Sequence, residues 1–219
     1  EEGSYPTSLI HTSGSAVTRS ADAANNAGNS DLINSTEGVL YAEFQGLADD
    51  GTARTLSINN TVSNRVFMQL RSATGQVNSG VVVGGSLQGS SLSDNITQTD
   101  NIKMAFKYKA SDYALYVNGS EVATQASGST FSAGTLNDLS FDSGDGAEDF
   151  FGKVKSVMVF KEALTDLELE KLTGYNNHEL YMNYYNRLSY LGLVEEYNVE
   201  SDINNYILWY QVYYKYQVL

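Results

Sequence analysis

The feature that most constrains the fold is a succession of short β-prone runs separated by turn residues. The clearest local signal is Asn118-Gly119, which stands between two such runs. This pair favours a type I′ hairpin, because both central residues need positive φ. Between residues 38 and 160 we expect about ten strands with turns every 8–12 residues, the pattern of a β-sandwich or jelly roll.

The predicted strands alternate apolar and polar residues or carry a short apolar run. They are residues 39–44, 55–58, 65–71, 77–83, 101–108, 114–117, 136–141 and 152–160. Residues 48–52 predict a turn. Because the chain has a single Pro, its turn geometry must rest on Gly, Asn and Asp.

The hydrophobic period changes after residue 160. Thr165 and Glu168 form a capping-box pattern, which predicts the start of a helix. Leu164, Leu167 and Leu172 would share its apolar face, and Gly174 is a natural terminator. We therefore expect one helix directly after the last strand of the sandwich.

A Tyr-rich segment ends the sequence. Residues 178–191 predict a second helix, and residues 206–219 favour a strand that is apolar on both faces. Such a strand must be covered, either by packing within the chain or by pairing with another subunit. The candidate assembly residues are Tyr206, Trp209, Tyr210, Tyr213, Tyr214 and Tyr216.

The sequence predicts three regions. Residues 1–36, rich in small and polar residues, read as an N-terminal arm or linker from an upstream region. Residues 37–174 form the mainly β sandwich, and residues 175–219 form a C-terminal helical and Tyr-rich assembly segment.

Charge and composition exclude several classes of function. The net charge of −13, with a pI near 4.4, opposes binding to nucleic acid or to an anionic membrane surface. No Cys is present, so disulfides, thiolate nucleophiles and Cys-ligated metals are excluded. No segment has the roughly 20 consecutive apolar residues that a transmembrane helix needs.

Two motifs resemble a known family. Residues 113–119 read YALYVNG, and residues 151–169 read FGKVKSVMVFKEALTDLEL. They resemble the hairpin and the closing strand of concanavalin A-like lectin/glucanase domains of the laminin-G and pentraxin type. The resemblance implies a concanavalin A-like jelly-roll sandwich with carbohydrate-binding function.

A narrower resemblance lies upstream. Residues 3–10, GSYPTSLI, and 14–22, GSAVTRSAD, are similar to a junction found ahead of lectin-like domains in bacteriophage tail, fibre and other virion proteins. His11 departs from the Pro usual there. The resemblance implies an adhesive or structural virion component, with host glycan and other virion subunits as partners and a homo-oligomeric state.

Catalytic residues are not evident in the sandwich. A retaining glycosidase needs two neighbouring carboxylates, whereas Glu43 stands alone on its strand and Glu121 follows a hairpin turn. The two histidines, His11 and His178, lie outside the sandwich. We therefore expect a non-enzymatic protein.

Residues 142–149 have the oxygen-rich composition of a Ca²⁺-binding loop, with Asp142, Asp145 and Asp149 as candidate ligands. Members of the family often place an Asp on the next strand, where this chain has Lys155, which would repel a cation. The alternative is a solvated acidic loop without calcium.

Sugar rings stack on aromatic side chains, and the strands offer Tyr41, Phe67, Tyr113 and Tyr116 for this role. The alternative for each is a core position. The resulting hypotheses are a lectin-like virion protein, a secreted or bacterial cell-surface glycan-binding module, and a purely structural filament or assembly protein.

Overall fold

Two antiparallel sheets are formed by eleven strands in this computed structural model, which describes residues 13–15, 27–73, 75–88 and 91–174. The strands are β1 Glu37–Gly46, β2 Arg54–Thr61, β3 Asn64–Leu70, β4 Gln76–Val83, β5 Ser86–Leu87, β6 Leu92–Asn95, β7 Ile102–Lys109, β8 Tyr113–Val117, β9 Ser120–Gln125, β10 Asp138–Ser140 and β11 Gly152–Phe160. One helix, α1 Asp166–Gly174, follows them.

The first sheet has the order β11-β1-β7-β8-β9, and the second has the order β10-β2-β3-β4-β5, with β6 also pairing with β4. Alternate side chains of both sheets meet in one buried core, which includes Leu40, Leu56, Met68, Phe106 and Leu115. Each of these five is at most 1% exposed. The predicted mainly β sandwich is confirmed.

The Asn118-Gly119 hairpin is confirmed in detail. Both residues have positive φ, 49° and 86°, as a type I′ turn requires. The amide of Asn118 donates to the carbonyl oxygen of Lys103, and its side-chain oxygen accepts from the Lys103 amide. Asn118 therefore ties the turn to the first residues of β7 as well as bending the chain.

Each predicted run overlaps an observed strand, but β5 and β6 were not predicted. Both are short and lie in a Ser- and Gly-rich segment with no apolar periodicity. They form because they hydrogen-bond to β4, which is a long-range cause that a local pattern does not contain.

The capping box of α1 is confirmed, since the Thr165 amide donates to Glu168 Oε2 (2.8 Å) and the Glu168 amide to Thr165 Oγ1 (3.4 Å). Leu164 and Leu172 pack against the sheet as predicted. The prediction for Leu167 is wrong, because this residue is 58% exposed and Leu169 is buried in its place. The helix is turned so that Leu169 faces the sheet.

The end of the predicted arm packs on the sandwich. Ile33 belongs to the core cluster, and buried Ser35 accepts a hydrogen bond at its Oγ from the Leu136 amide. The predicted helix 178–191 and strand 206–219 lie outside the described residues. Within the described residues no helix is long and apolar enough to cross a membrane.

Candidate functional site

The outer faces of the two sheets differ in chemistry. On the first sheet, Val39, Tyr41, Ala105, Ala114 and Tyr116 form an apolar patch covered by Leu169 of α1. Lys107 of the same sheet forms salt bridges with Asp112 (2.9 Å) and with Asp166 (3.4 Å). Because Asp166 is the first residue of α1, the second bridge holds the helix against this face. This sheet therefore has little free surface at its centre.

The second sheet presents hydrogen-bonding side chains outward. Cross-strand pairing sets three rows of neighbours on β2, β3 and β4. We call this set of residues the polar face: Thr55, Gln69 and Asn78; Ser57, Phe67 and Gly80; Asn59, Arg65 and Val82. Its side chains can donate and accept the hydrogen bonds that hydroxyl-rich ligands need, but all nine residues except Gln69 and Arg65 are buried.

Phe67 lies at the centre of the polar face and is 7% exposed. The guanidinium carbon of Arg65 lies 5.3 Å from its ring centroid, a cation–π contact. A Cβ at position 80 would come within 3.0 Å of both the Phe67 ring and Leu87. The absence of a side chain at Gly80 therefore leaves room for the Phe67 ring to lie against β4.

The polar face contains buried polar atoms without partners. Asn78 is 7% exposed, and its Oδ1 accepts no hydrogen bond from the residues that the structure describes; Nε of Arg65 is also buried and has no partner among them. Leaving such an atom unsatisfied costs about 1–3 kcal/mol. Because this acceptor beside Gln69 is enclosed, a ligand hydroxyl would reach it only where the groups that cover it move apart.

Residues 142–149, which we call the covering loop, lie against one side of the polar face. Four side chains of the face donate hydrogen bonds to the loop: Ser57 to Asp142 O, Arg65 to Ser143 O, and Thr55 and Gln69 to Glu148 Oε2. The loop thus uses most of the donors that the face offers.

The family follows from the sequence match and agrees with this architecture. The family model of the concanavalin A-like lectin/glucanases superfamily, Laminin_G_3, matches residues 19–170. The chain belongs to this superfamily. Its described domain is therefore a lectin-type sandwich, and the match also spans residues that we predicted as an N-terminal arm.

Solved structures with the same fold are only distantly related in sequence. CBM40 of Ruminococcus gnavus IT-sialidase, bound to alpha2,3 sialyllactose, has a TM-score of 0.54 and 19% identity, covering 67% of this chain and 92% of that chain. The NanB sialidase of Streptococcus pneumoniae has a TM-score of 0.51 and 18% identity, covering 68% of this chain and 25% of that one.

A third similar structure is the native heptameric SAP-like pentraxin of Limulus polyphemus, with a TM-score of 0.50 and 15% identity. It covers 65% of this chain and 72% of the pentraxin. No curated protein sequence matches the chain significantly.

The structure places the four candidate stacking residues of the lectin-type domain in different surroundings. Tyr113 is in the interior, with its hydroxyl donating to Ser129 O, and Tyr41 and Tyr116 lie beneath α1. Each is at most 4% exposed. Phe67 alone of the four belongs to the polar face, so the four residues do not form one platform.

Two of the three candidate calcium ligands, Asp142 and Asp145, accept hydrogen bonds from within the covering loop. Asp142 Oδ1 accepts from the Gly144 amide and Asp145 Oδ1 from the Ser143 hydroxyl, which lowers the pKa of Asp145. Among the described residues, no group of three or more Asp, Glu, His or Cys residues is arranged to hold a metal ion. The calcium prediction gains no support from this geometry.

A second concavity lies at one end of the sandwich, between the β6–β7 connection and the β8–β9 hairpin. It has a volume of about 620 Å³, with Ile102 and Val117 at its base and Asp94, Asp100 and Ser120 among its polar lining residues. It is an alternative place for a polar ligand, but it contains none of the orphaned buried atoms of the polar face.

Sequence reasoning missed the polar face except for Phe67. The signal was present as polar residues alternating with core residues in Thr55-Leu56-Ser57-Ile58-Asn59 and Phe67-Met68-Gln69. Alternation alone predicts an outward face. It does not indicate that three strands would place these residues in adjacent rows.

Proposed function

We propose that this chain is a non-enzymatic glycan-binding protein and that the polar face of its lectin-type domain is the binding surface. The observation that carries the proposal is the orphaned Oδ1 of Asn78 beside Gln69 and Phe67. Sugars present hydroxyl groups that donate and accept hydrogen bonds, which this set of side chains can match. That a structurally similar domain, CBM40, is bound to a sialyllactose supports the choice of ligand class.

The carboxylate chemistry of the described sandwich favours binding over hydrolysis. Glu43 is buried and pairs with Lys155 at 2.8 Å, while Asn101 donates a second hydrogen bond to it. Burial raises the pKa of Glu43, but these partners outweigh it and hold the pKa below its usual value. A general acid for glycoside cleavage needs the opposite shift.

The proposed setting of the domain is a phage virion, as part of a tail, fibre or decoration protein. The support is the resemblance of residues 3–10 and 14–22 to a junction of phage virion proteins. A secreted or bacterial cell-surface glycan-binding module, or a purely structural filament or assembly protein, is the alternative. An antibody against residues 27–174 distinguishes these settings, because it labels purified particles only in the first.

We further propose that the protein is a homo-oligomer and that residues 206–219 contribute to assembly. Tyrosine and tryptophan offer large contact areas at a small entropy cost, and this segment contains six of them at the candidate positions. The heptameric state of the similar Limulus pentraxin supports an assembled form.

The glycan proposal is tested by applying the full-length protein to an array of neutral, sialylated and uronate-containing glycans. We expect binding to a subset of these glycans and loss of that binding in Asn78→Leu. The substitution replaces the orphaned acceptor with an apolar side chain of similar size. A properly folded protein that binds no glycan would contradict the proposal.

A further inference from the structure

Glu148 is attached to the polar face in the manner of a bound ligand. Its Oε2 accepts hydrogen bonds from Thr55 Oγ1 and from Gln69 Nε2, both at 2.8 Å. Hydrogen bonds to an ionised acceptor are shorter and stronger than neutral ones. The two donors therefore make a position suited to a carboxylate oxygen.

The backbone at Glu148 is held in an unfavourable conformation. Its φ is +56°, in the left-handed region that non-glycine residues rarely adopt. Such a conformation costs roughly 1–2 kcal/mol and persists when surrounding contacts hold it. Here the holding contacts are the two side-chain bonds and the bond from the Thr55 amide to Glu148 O (2.9 Å).

Asn78 extends this carboxylate position into a larger site. It is the cross-strand partner of Gln69 on the polar face, and within the described part of the chain its buried Oδ1 has no hydrogen-bond partner. A ligand that carries a carboxylate and a neighbouring hydroxyl would bond to Thr55 and Gln69 through the first group and to Asn78 through the second. Glu148 supplies the carboxylate that bonds to Thr55 and Gln69, but no group that bonds to Asn78.

We propose that Glu148 is an internal competitor, occupying the place of a ligand carboxylate, and that an acidic glycan binds by displacing the covering loop. This inference rests on the proposed glycan-binding function and adds the ligand class and a loop movement. If the loop is open in about 1–10% of molecules, the observed affinity falls 10- to 100-fold below that of the open site.

The test compares full-length wild type with Glu148→Ala on the array of sialylated, uronate-containing and neutral glycans. Removing the competing carboxylate should strengthen binding of carboxylate-bearing glycans by about tenfold or more and leave neutral glycans unchanged. Asp149→Asn is the matched control, since it removes an equal charge from the neighbouring residue, whose side chain makes no hydrogen bond to the described residues of the polar face. It should change binding less than twofold.

Hydrogen exchange provides a second readout that does not depend on the variant. In the closed loop, the Thr55 amide of β2 donates to Glu148 O. Displacement of the loop by the acidic glycan breaks this bond and should make the Thr55 amide exchange faster, whereas a ligand that binds over a fixed loop would slow it.

The outcomes separate the two proposals. Glycan binding by wild type without a gain for acidic glycans in Glu148→Ala, or with slower exchange of the Thr55 amide, overturns the competitor proposal alone. An equal gain for neutral glycans overturns the assignment to acidic glycans. Absence of binding to any glycan in both proteins overturns the glycan-binding function, and the competitor proposal with it.

Discussion

Thr55 and Glu148 are joined by two hydrogen bonds across 93 positions of sequence, one from the Thr55 amide to Glu148 O and one from the Thr55 hydroxyl to Glu148 Oε2. The pair connects β2 to the covering loop that precedes β11. The edge of the polar face is therefore set by tertiary folding, and the loop conformation and the binding surface should respond to the same substitutions.

The hairpin and the helix meet at a point that has no room for a side chain. A Cβ on Gly119 would lie 2.8 Å from the Cα of Gly174, and φ is +86°. Gly119→Ala should therefore lower the free energy of unfolding by about 2 kcal/mol or more, through strain and a backbone clash. Thermal unfolding measures this as a midpoint lowered by about 2–4 °C per kcal/mol.

Gly134→Ala is the control for that substitution. Gly134 also has positive φ, +76°, but no atom of the described residues lies within 4 Å of a Cβ built there. It should cost about 1 kcal/mol, the strain alone. If the two variants lost equal free energy of unfolding, the close approach of Gly119 to Gly174 would make no contribution to stability.

The orientation of α1 predicts different results for two leucines that are two positions apart in the sequence. Leu169 is fully buried against the apolar patch of the first sheet, whereas Leu167 is 58% exposed. Leu169→Ala should cost about 2–5 kcal/mol because it leaves a cavity, and Leu167→Ala less than about 0.5 kcal/mol. Chemical denaturation of both variants measures the difference, and a reversed order would mean that the helix is turned the other way.

Glu43 should contribute to acid sensitivity. Its pKa is lowered in the folded state, so the stabilisation that it provides is present above its ordinary value of 4.5 and is lost as pH falls through the folded-state pKa. Denaturation between pH 7 and pH 3 should show a shallower acid loss of stability in Glu43→Gln than in wild type. Exposed Glu162→Gln should follow wild type, and a Glu43→Gln curve parallel to wild type would contradict the assignment.

Assembly can be tested by light scattering on the full chain and on a version that ends at Tyr175. We expect the full chain to be an oligomer and the shorter chain a monomer, because the Tyr-rich segment is the proposed interface. A full-length Trp209→Ser, Tyr213→Ser variant should also dissociate. The same number of subunits in all three proteins would contradict a role for this segment in assembly.

The features predicted correctly from sequence depend on neighbouring residues. Asn118-Gly119 specifies its own turn, and Thr165 with Glu168 specifies its own cap. The phase of α1 was misassigned because Leu167 and Leu169 are both apolar, and only packing on the sheet decides which is buried.

The candidate site depends on distant residues and was mostly missed. Gln69, Asn78 and Glu148 belong to separate parts of the chain, and their relation arises from strand register and a loop that folds back. The acidic composition of residues 142–149 predicted a calcium loop. Sequence composition could not indicate that its oxygens would accept hydrogen bonds from the loop and from the polar face.

The most direct test of the account is calorimetric titration of the tightest-binding array glycan into wild type, Asn78→Leu and Ser120→Ala. Asn78 marks the polar face, and Ser120 lines the separate concavity at the end of the sandwich. We predict that Asn78→Leu weakens binding by about tenfold or more while thermal unfolding confirms the fold, and that Ser120→Ala binds like wild type. Undiminished binding by Asn78→Leu, or its loss in Ser120→Ala, would contradict the assignment of the glycan site to the polar face.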